Sequence, residues 1–341
     1  MRAIGYHQPG SLDRPDALIE LDLPKPTPVG HDILVAVKAV AVNPVDAKMR
    51  AGANPFPGRS ERIVGWDAAG IVEAVGPDVT RFKAGDAVYY AGNIARDGTN
   101  SEFHLVDERI VGRKPQSLNW GEAAALPLTT ITAWETLFDR LKVQLPVPGA
   151  ANAVLIIGGA GGVGSMAIQL ARTLTDLTVI ATASRPETQE WAKSLGAHHV
   201  IDHSQALAPQ IAALGIGAPA FVFSTNYTEN YLADIQELIA PQGRFALIDD
   251  PKSLDIVSFK RKAISVHWEL MFTRPLYETA DLVEQGRLLD KVAGLVEEGR
   301  IKTTATQVLS PINVANLLEA HRQIESGACK GKIALEGWSA T

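Results

Sequence analysis

The chain has 341 residues, 46% hydrophobic and 21% charged, enough for one or two domains with substantial cores. Its net charge of -6 gives no electrostatic footing for nucleic acid or an anionic membrane surface, and a single cysteine, Cys329, excludes an intramolecular disulfide and a multi-cysteine metal lobe. No apolar run approaches a membrane span and the first ten residues lack a signal-peptide core, so a cytoplasmic enzyme is expected.

The first quarter reads as β structure. Strands are expected at 1–6, at the Val-rich run 32–42, and at 68–76, which ends on a Gly-Pro turn signal; 83–90 reads as a turn feeding a strand. From Trp120 the pattern changes. Helix is expected at 122–126 and again at 130–141 after a break at Pro127. Strand and helix then alternate: strand 153–157, helix 163–174, strand 177–182, helix 186–195, strand 199–201, strand 220–223, helix 228–239, strand 244–248. Such alternation implies a parallel sheet with helices on both faces. A strand at 263–268 and a helix at 277–298 follow, then strand 305–309, helix 312–325 and a last strand 332–335 returning to the first domain.

The most specific motif is Ala153-Val-Leu-Ile-Ile-Gly-Gly-Ala-Gly-Gly-Val-Gly-Ser165. An uninterrupted apolar run reads as a strand buried on both faces, and Gly159, Gly161 and Gly164 give the G-x-G-x-x-G spacing where strand turns into helix. The first glycine is expected to permit the tight turn, the second to let backbone approach a pyrophosphate, the third to allow close helix packing. Gly162 and Val163 complete the loop, whose helix N-terminus offers N–H groups to phosphate. The strand at 177–182 ends in Ala181-Thr-Ala-Ser184-Arg185 without a carboxylate. A carboxylate there would repel a 2′-phosphate, whereas Ser184 and Arg185 suit one, so NADPH is the expected cofactor.

The chain resembles the medium-chain dehydrogenase/reductase superfamily over essentially its full length, and looks most like the zinc-independent quinone oxidoreductase branch and its zinc-type alcohol dehydrogenase-like subgroup. The resemblance rests on Gly65-Trp-Asp67-Ala-Ala-Gly70-Ile-Val-Glu-Ala-Val-Gly76, Lys83-Ala-Gly-Asp86-Ala-Val, Leu126-Pro-Leu-Thr-Thr-Ile-Thr132-Ala-Trp, the glycine loop, Leu195-Gly-Ala-His-His-Val-Ile-Asp202-His203 and Gly331-Lys332-Ile-Ala-Leu. It implies an α/β fold: a GroES-like β-barrel domain (1–126 and 301–341) plus a Rossmann doubly wound parallel sheet domain (127–300), with the active cleft between them. It also implies a homodimer or homotetramer, the strand at 263–268 pairing edge to edge with a second subunit.

Zinc members hold their metal with Cys, His and Cys. The matching positions here are Asn43, Trp66 and Leu128, so no metal is expected. The eight histidines read as scattered surface or loop residues, except His203, which the resemblance puts beside the adenosine phosphate. The resemblance also puts Asn43 near nicotinamide and substrate, where its amide N–H would bond a carbonyl, and Asp46 behind it as an orienting group. The plainer alternative for both is an Asn-Pro turn with a capping Asp. Thr132, with Thr129 nearby, matches a threonine packed on nicotinamide; a helix N-terminal role is the rival. Ser224, Thr225 and Ile248 follow Rossmann strands where dinucleotide sites collect, and Phe272 and Lys332 look cleft-facing. Tyr90 is either a proton donor or a core tyrosine.

Without a Lewis acid for an alkoxide, hydride delivery from NADPH to an electron-poor acceptor is the easier chemistry. The expected activity is that of an NADPH:quinone oxidoreductase-like enzyme reducing small-molecule quinones or α,β-unsaturated carbonyls. A zinc-dependent alcohol dehydrogenase and a low-turnover, redox-responsive NADPH-binding protein are the alternatives.

Overall fold

In the computed structural model, which describes residues 1–339, the opening strands β1 (Arg2–Tyr6) and β2 (Ile19–Asp22) pair antiparallel. The Val-rich run becomes β3 (Asp32–Val42), buried along most of its length and the spine of a larger, mostly antiparallel sheet. After it comes α1 (Pro44–Gly52), started by a proline whose missing N–H is no loss in a first turn. This helix went unread in the sequence because its nine residues carry little apolar periodicity. β4 (Arg62–Ile63) joins β1, while β5 (Asp67–Val75), β6 (Ala87–Ala91), β7 (Phe103–Asp107) and β8 (Val111–Arg113) extend the large sheet. The Lys83–Asp86 turn into β6 is closed by the Asp86 carboxylate, which accepts from Lys83 N at 3.0 Å.

Two short helices follow, α2 (Trp120–Ala124) and α3 (Pro127–Trp134). Pro127 begins α3 rather than lying before a helix that starts at 130. Nor does α3 run smoothly to 141: residues Glu135–Arg140 widen into a π-turn.

The alternating segment forms a fully parallel six-stranded sheet from β9 (Ala151–Ile157), β10 (Thr178–Thr182), β11 (His199–Ile201), β12 (Pro219–Ser224), β13 (Arg244–Leu247) and β14 (Ser265–Trp268). Its order is β11-β10-β9-β12-β13-β14, so the strand order reverses direction beside β9. The crossovers are α4 (Gly162–Leu174), α5 (Pro186–Ser194), α6 (Leu207–Ala213) and α7 (Thr228–Leu238). Leu155, Ile157, Ile180, Val222, Phe245 and Leu247 make its core with Leu207, Ile211 and Ile235 from the helices. At ~1.5–3 kcal/mol per buried side chain this burial dominates the stability of the unit.

The remaining chain supplies α8 (Thr273–Tyr277), α9 (Val283–Glu297), β15 (Ala305–Leu309), α10 (Val314–Glu325) and β16 (Lys332–Glu336). β16 pairs antiparallel with β3, within the unit to which the last strand was expected to return. The chain divides into two compact units, Thr132–Met271 and the residues on either side of it. The expected Rossmann boundary at 300 therefore moves back to Met271. Helix α9 packs on the barrel instead: Tyr89 Oη donates to Leu289 O at 2.6 Å, and Arg81 pairs with Asp290 at 2.9 Å. Alternation of strand and helix does not say on which body a helix packs. The single expected helix 277–298 is likewise broken, at Glu278, which adopts a left-handed conformation with φ 44°.

Candidate active site

In the parallel unit, the glycine loop divides its tasks differently from the expectation. The left-handed turn after β9 is made by Gly158 (φ 80°), not by Gly159. Gly159 is instead needed for packing, since a Cβ there would lie 2.7 Å from Ala181 Cβ. Gly161 caps α4 with open space around it: an added Cβ would meet nothing nearer than Gly158 O at 3.5 Å. Gly164 is the most constrained, because its Cβ would sit 2.2 Å from Gly158 O. The first turn of α4, with Gly162 and Val163, thus lies close against the loop and presents N–H groups without helical partners.

The other expected cofactor residues of this unit gather at the carboxyl ends of the neighbouring strands. Thr182, at the tip of β10, accepts from Gly158 N at 3.0 Å and contacts His203 Nδ1 at 3.0 Å, tying loop and histidine together. Burial lowers the His203 pKa, favouring the neutral ring. Ser184 is half-buried and Arg185 exposed, the latter paired with Glu187 at 3.3 Å. Thr225 is anchored to Ile157 O at 2.8 Å beside Gly158. Ser224 differs: it is fully buried and accepts from Thr228 Oγ1 at 2.8 Å, so it braces α7 rather than facing a ligand. Ile248 is half-buried just past β13. Thr132 is buried on α3, its carbonyl accepting from Thr136 Oγ1 at 2.7 Å.

In the barrel unit the geometry departs further from expectation. Asn43 is 1% exposed, and its amide nitrogen donates to Asp67 Oδ2 at 2.8 Å and to Ala41 O at 3.4 Å. The N–H expected to meet a substrate carbonyl is therefore committed inside the protein. Its Oδ1 accepts from the Lys332 ammonium, which also donates to Val42 O at 2.8 Å and Asp67 Oδ2 at 3.0 Å. Lys332, expected at the cofactor, thus points inwards with all three protons used. Asp67 Oδ1 accepts from Leu128 N at 2.7 Å. Two of the three zinc-ligand positions, Asn43 and Leu128, hence serve a buried Lys–Asp pair. The third, Trp66, lies edge-on to Phe272 at 6.0 Å, which buries Phe272 as well.

Asp46 Oδ2 accepts from Asn43 N at 2.6 Å, while its Oδ1 is buried without a hydrogen-bond partner. Desolvation by burial raises this carboxyl from 3.8 to about 7, outweighing the Asn43 N–H and the Lys332 charge. Tyr90 is fully buried with its hydroxyl 3.0 Å from His104 Nδ1. His104 Nε2 faces Asp97 O at 2.9 Å and must carry the ring proton, so the tyrosine is the donor. Burial holds His104 down at about 4 and neutral. Tyr90 is therefore built into the barrel core, the second of its two readings. Thr129 is also buried, donating to Leu126 O at 3.1 Å.

The residues do not fit zinc. An amide already bound to Lys332, an indole and an isobutyl group supply no set of N, S or carboxylate donors. Among the described residues no group of three or more His, Cys, Asp or Glu is arranged to hold a metal ion, and no helix is long and apolar enough to cross a membrane.

A six-stranded parallel sheet with a glycine-loop crossover, together with a GroES-like antiparallel unit, defines a medium-chain dehydrogenase/reductase, an oxidoreductase class. Residues 30–124 match the alcohol dehydrogenase GroES-like domain family and residues 162–281 the zinc-binding dehydrogenase family. A zinc-type alcohol dehydrogenase-like protein of Staphylococcus aureus is 40% identical over 98% of this chain and 99% of its own. The 2-methylene-furan-3-one reductase of Solanum lycopersicum is 36% identical over 98% of this chain and 79% of its own. A crystal structure of a putative zinc-dependent alcohol dehydrogenase protein from Rhizobium etli superposes with TM-score 0.98 at 65% identity, covering 100% of this chain and 99% of that one. The chain belongs to the medium-chain dehydrogenase/reductase family, among relatives that carry the zinc-type alcohol dehydrogenase-like name.

Proposed function

We propose that the protein is an NADPH-dependent, zinc-independent reductase that delivers hydride to electron-poor carbonyl acceptors, quinones or α,β-unsaturated carbonyls. The observation that carries this reading is the Lys332–Asp67 pair, which engages Asn43 and Leu128 where zinc relatives place metal ligands. With no donor set for a Lewis acid, taking hydride from an alcohol lacks its charge stabilisation. An acceptor that spreads the developing charge over its own conjugated system does not need it. The name of the tomato relative, a reductase of an exocyclic enone, supports the same acceptor class.

Bound NADPH supplies the two electrons as hydride. The chain's own residues bind and orient it: the N–H groups at the start of α4 for the pyrophosphate, Ser184 and Arg185 for a 2′-phosphate, and His203, steadied by Thr182, beside the adenosine. Asp46 caps the start of α1 through Asn43 N and is assigned no contact with substrate. With the Asn43 amide and Tyr90 hydroxyl committed, the proton that balances hydride transfer comes from solvent. β14 is an edge strand, and Trp268 and Leu270 at its end are 53% and 52% exposed, which favours a second subunit paired along it.

The cofactor assignment is tested by measuring NADPH and NADH affinity in the wild type and in Arg185→Asp. The expected result is a wild-type preference for NADPH that falls at least tenfold in the variant; an unchanged NADPH/NADH ratio contradicts it.

A further inference from the structure

Outside the residues so far assigned, the parallel unit buries two more carboxyl groups. Glu135, where α3 opens into the π-turn, is 0% exposed, and Glu269, just past β14, is 4% exposed. They lie within hydrogen-bonding reach of each other. The Arg140 Nε donates to Glu269 Oε2 at 2.8 Å. Glu269 Oε1 is buried and meets no N–H or O–H donor.

Two neighbouring buried carboxylates repel one another, and the cheapest remedy in a low-dielectric interior is to retain one proton. That proton also supplies the missing donor. We propose that Glu135 and Glu269 hold one proton between them, and that this shared proton fixes the chain just past β14 as a positioning device for bound NADPH.

The positioning follows from the backbone. Glu269 N donates to Leu247 O at 3.1 Å, so this residue is stitched to the carboxyl end of β13, immediately before Ile248. The other anchor is unusual: the π-turn closes with Leu141 N on Thr136 O at 2.8 Å, and such widened turns recur at functional sites. One carboxyl–carboxylate bond therefore ties the turn after Thr132 to the strand end beside Ile248. The charged groups acting on Glu269 are Glu135 and Arg140. On β14 itself, His267 is kept neutral by burial and by Arg244, Arg140 and Lys142, so it does not compensate the pair. Burial and the neighbouring Glu135 hold the Glu269 carboxyl far above its ordinary value of 4.5.

The cofactor half of this inference rests on the function proposed above, and the test separates the two. Glu269→Gln keeps the shape, offers an N–H to Glu135 and an oxygen to Arg140, and has no proton to lose. Chemical denaturation of wild type and variant from pH 5 to 9 reads the shared proton without any ligand. In the wild type the folded state keeps a proton that the unfolded chain releases near 4.5, so its folding constant should fall relative to the variant by up to about tenfold per pH unit. Parallel profiles overturn the shared proton. NADPH affinity over the same range and up to pH 10 should weaken with pH in the wild type and stay flat in the variant; equal weakening in both overturns the positioning role. Absence of NADPH binding at every pH contradicts the proposed function, and the denaturation comparison still decides the shared proton. Should Glu269→Gln fail to fold, Glu135→Gln carries the same comparisons.

Discussion

The Lys332 ammonium donates to Asp67 Oδ2 at 3.0 Å, and neither side chain is more than 3% exposed. Two opposite charges desolvated together hold only while each keeps its partner. Lys332→Met should therefore destabilise the protein by about 3–5 kcal/mol, because it strands the Asp67 carboxylate. Adding Asp67→Asn should recover much of that loss, since an amide oxygen can still accept from Leu128 N. Urea denaturation of the single and double variants checks this; additive losses would mean the pair is not coupled.

Asp46 gives a pH dependence of defined sign. Its carboxyl ionises near 3.8 in the ordinary state and near 7 when buried in the barrel. The folded state thus binds more protons between these values. The stability this contributes is complete below 3.8 and is lost as pH rises through 7, at up to about 1.4 kcal/mol per pH unit. Asp46→Asn cannot titrate, so wild type should lose stability relative to it from pH 4 to 7 and run parallel above. A constant difference across that range would contradict the assignment.

Tyr90→Phe distinguishes a core tyrosine from a proton donor. The substitution removes the partner of a buried His104 nitrogen and should cost about 1–3 kcal/mol of stability. It should leave kcat and its pH profile unchanged. A large fall in kcat with KM unaltered would restore the catalytic role.

Gly164→Ala probes the cofactor loop. An added methyl lies 2.2 Å from Gly158 O, against backbone that cannot step aside cheaply. The loop should move, costing about 1–3 kcal/mol in stability and weakening NADPH binding by at least tenfold. Gly161→Ala, with open space around it, should fold as well as wild type yet still bind NADPH poorly. Equal stability of the two variants would contradict this division of roles.

Much of this architecture is legible in sequence because its signals are local. The buried run Val154-Leu-Ile-Ile157 and the glycines after it lie within a dozen residues, and the parallel sheet follows from alternation. The barrel site is not local. Lys332 and Asp67 are 265 residues apart, and nothing near either announces an ion pair. Asn43 was legible as a lost metal ligand, but its amide's commitment to Asp67 and Lys332 depends on strands β3 and β16 meeting. Gly158 was overshadowed by the motif spacing one residue later, and only backbone dihedrals show which glycine makes the turn. Glu135 and Glu269 read as ordinary charges until their burial is known.

The most direct test of the account is turnover by the purified protein, with its zinc content measured. NADPH oxidation should be followed with quinones, enones and aldehydes, and NADP⁺ reduction with alcohols, each with and without a chelator. The account predicts NADPH-dependent reduction of quinones or enones that the chelator leaves unchanged, and substoichiometric zinc. Stoichiometric zinc with chelator-sensitive alcohol oxidation would contradict it.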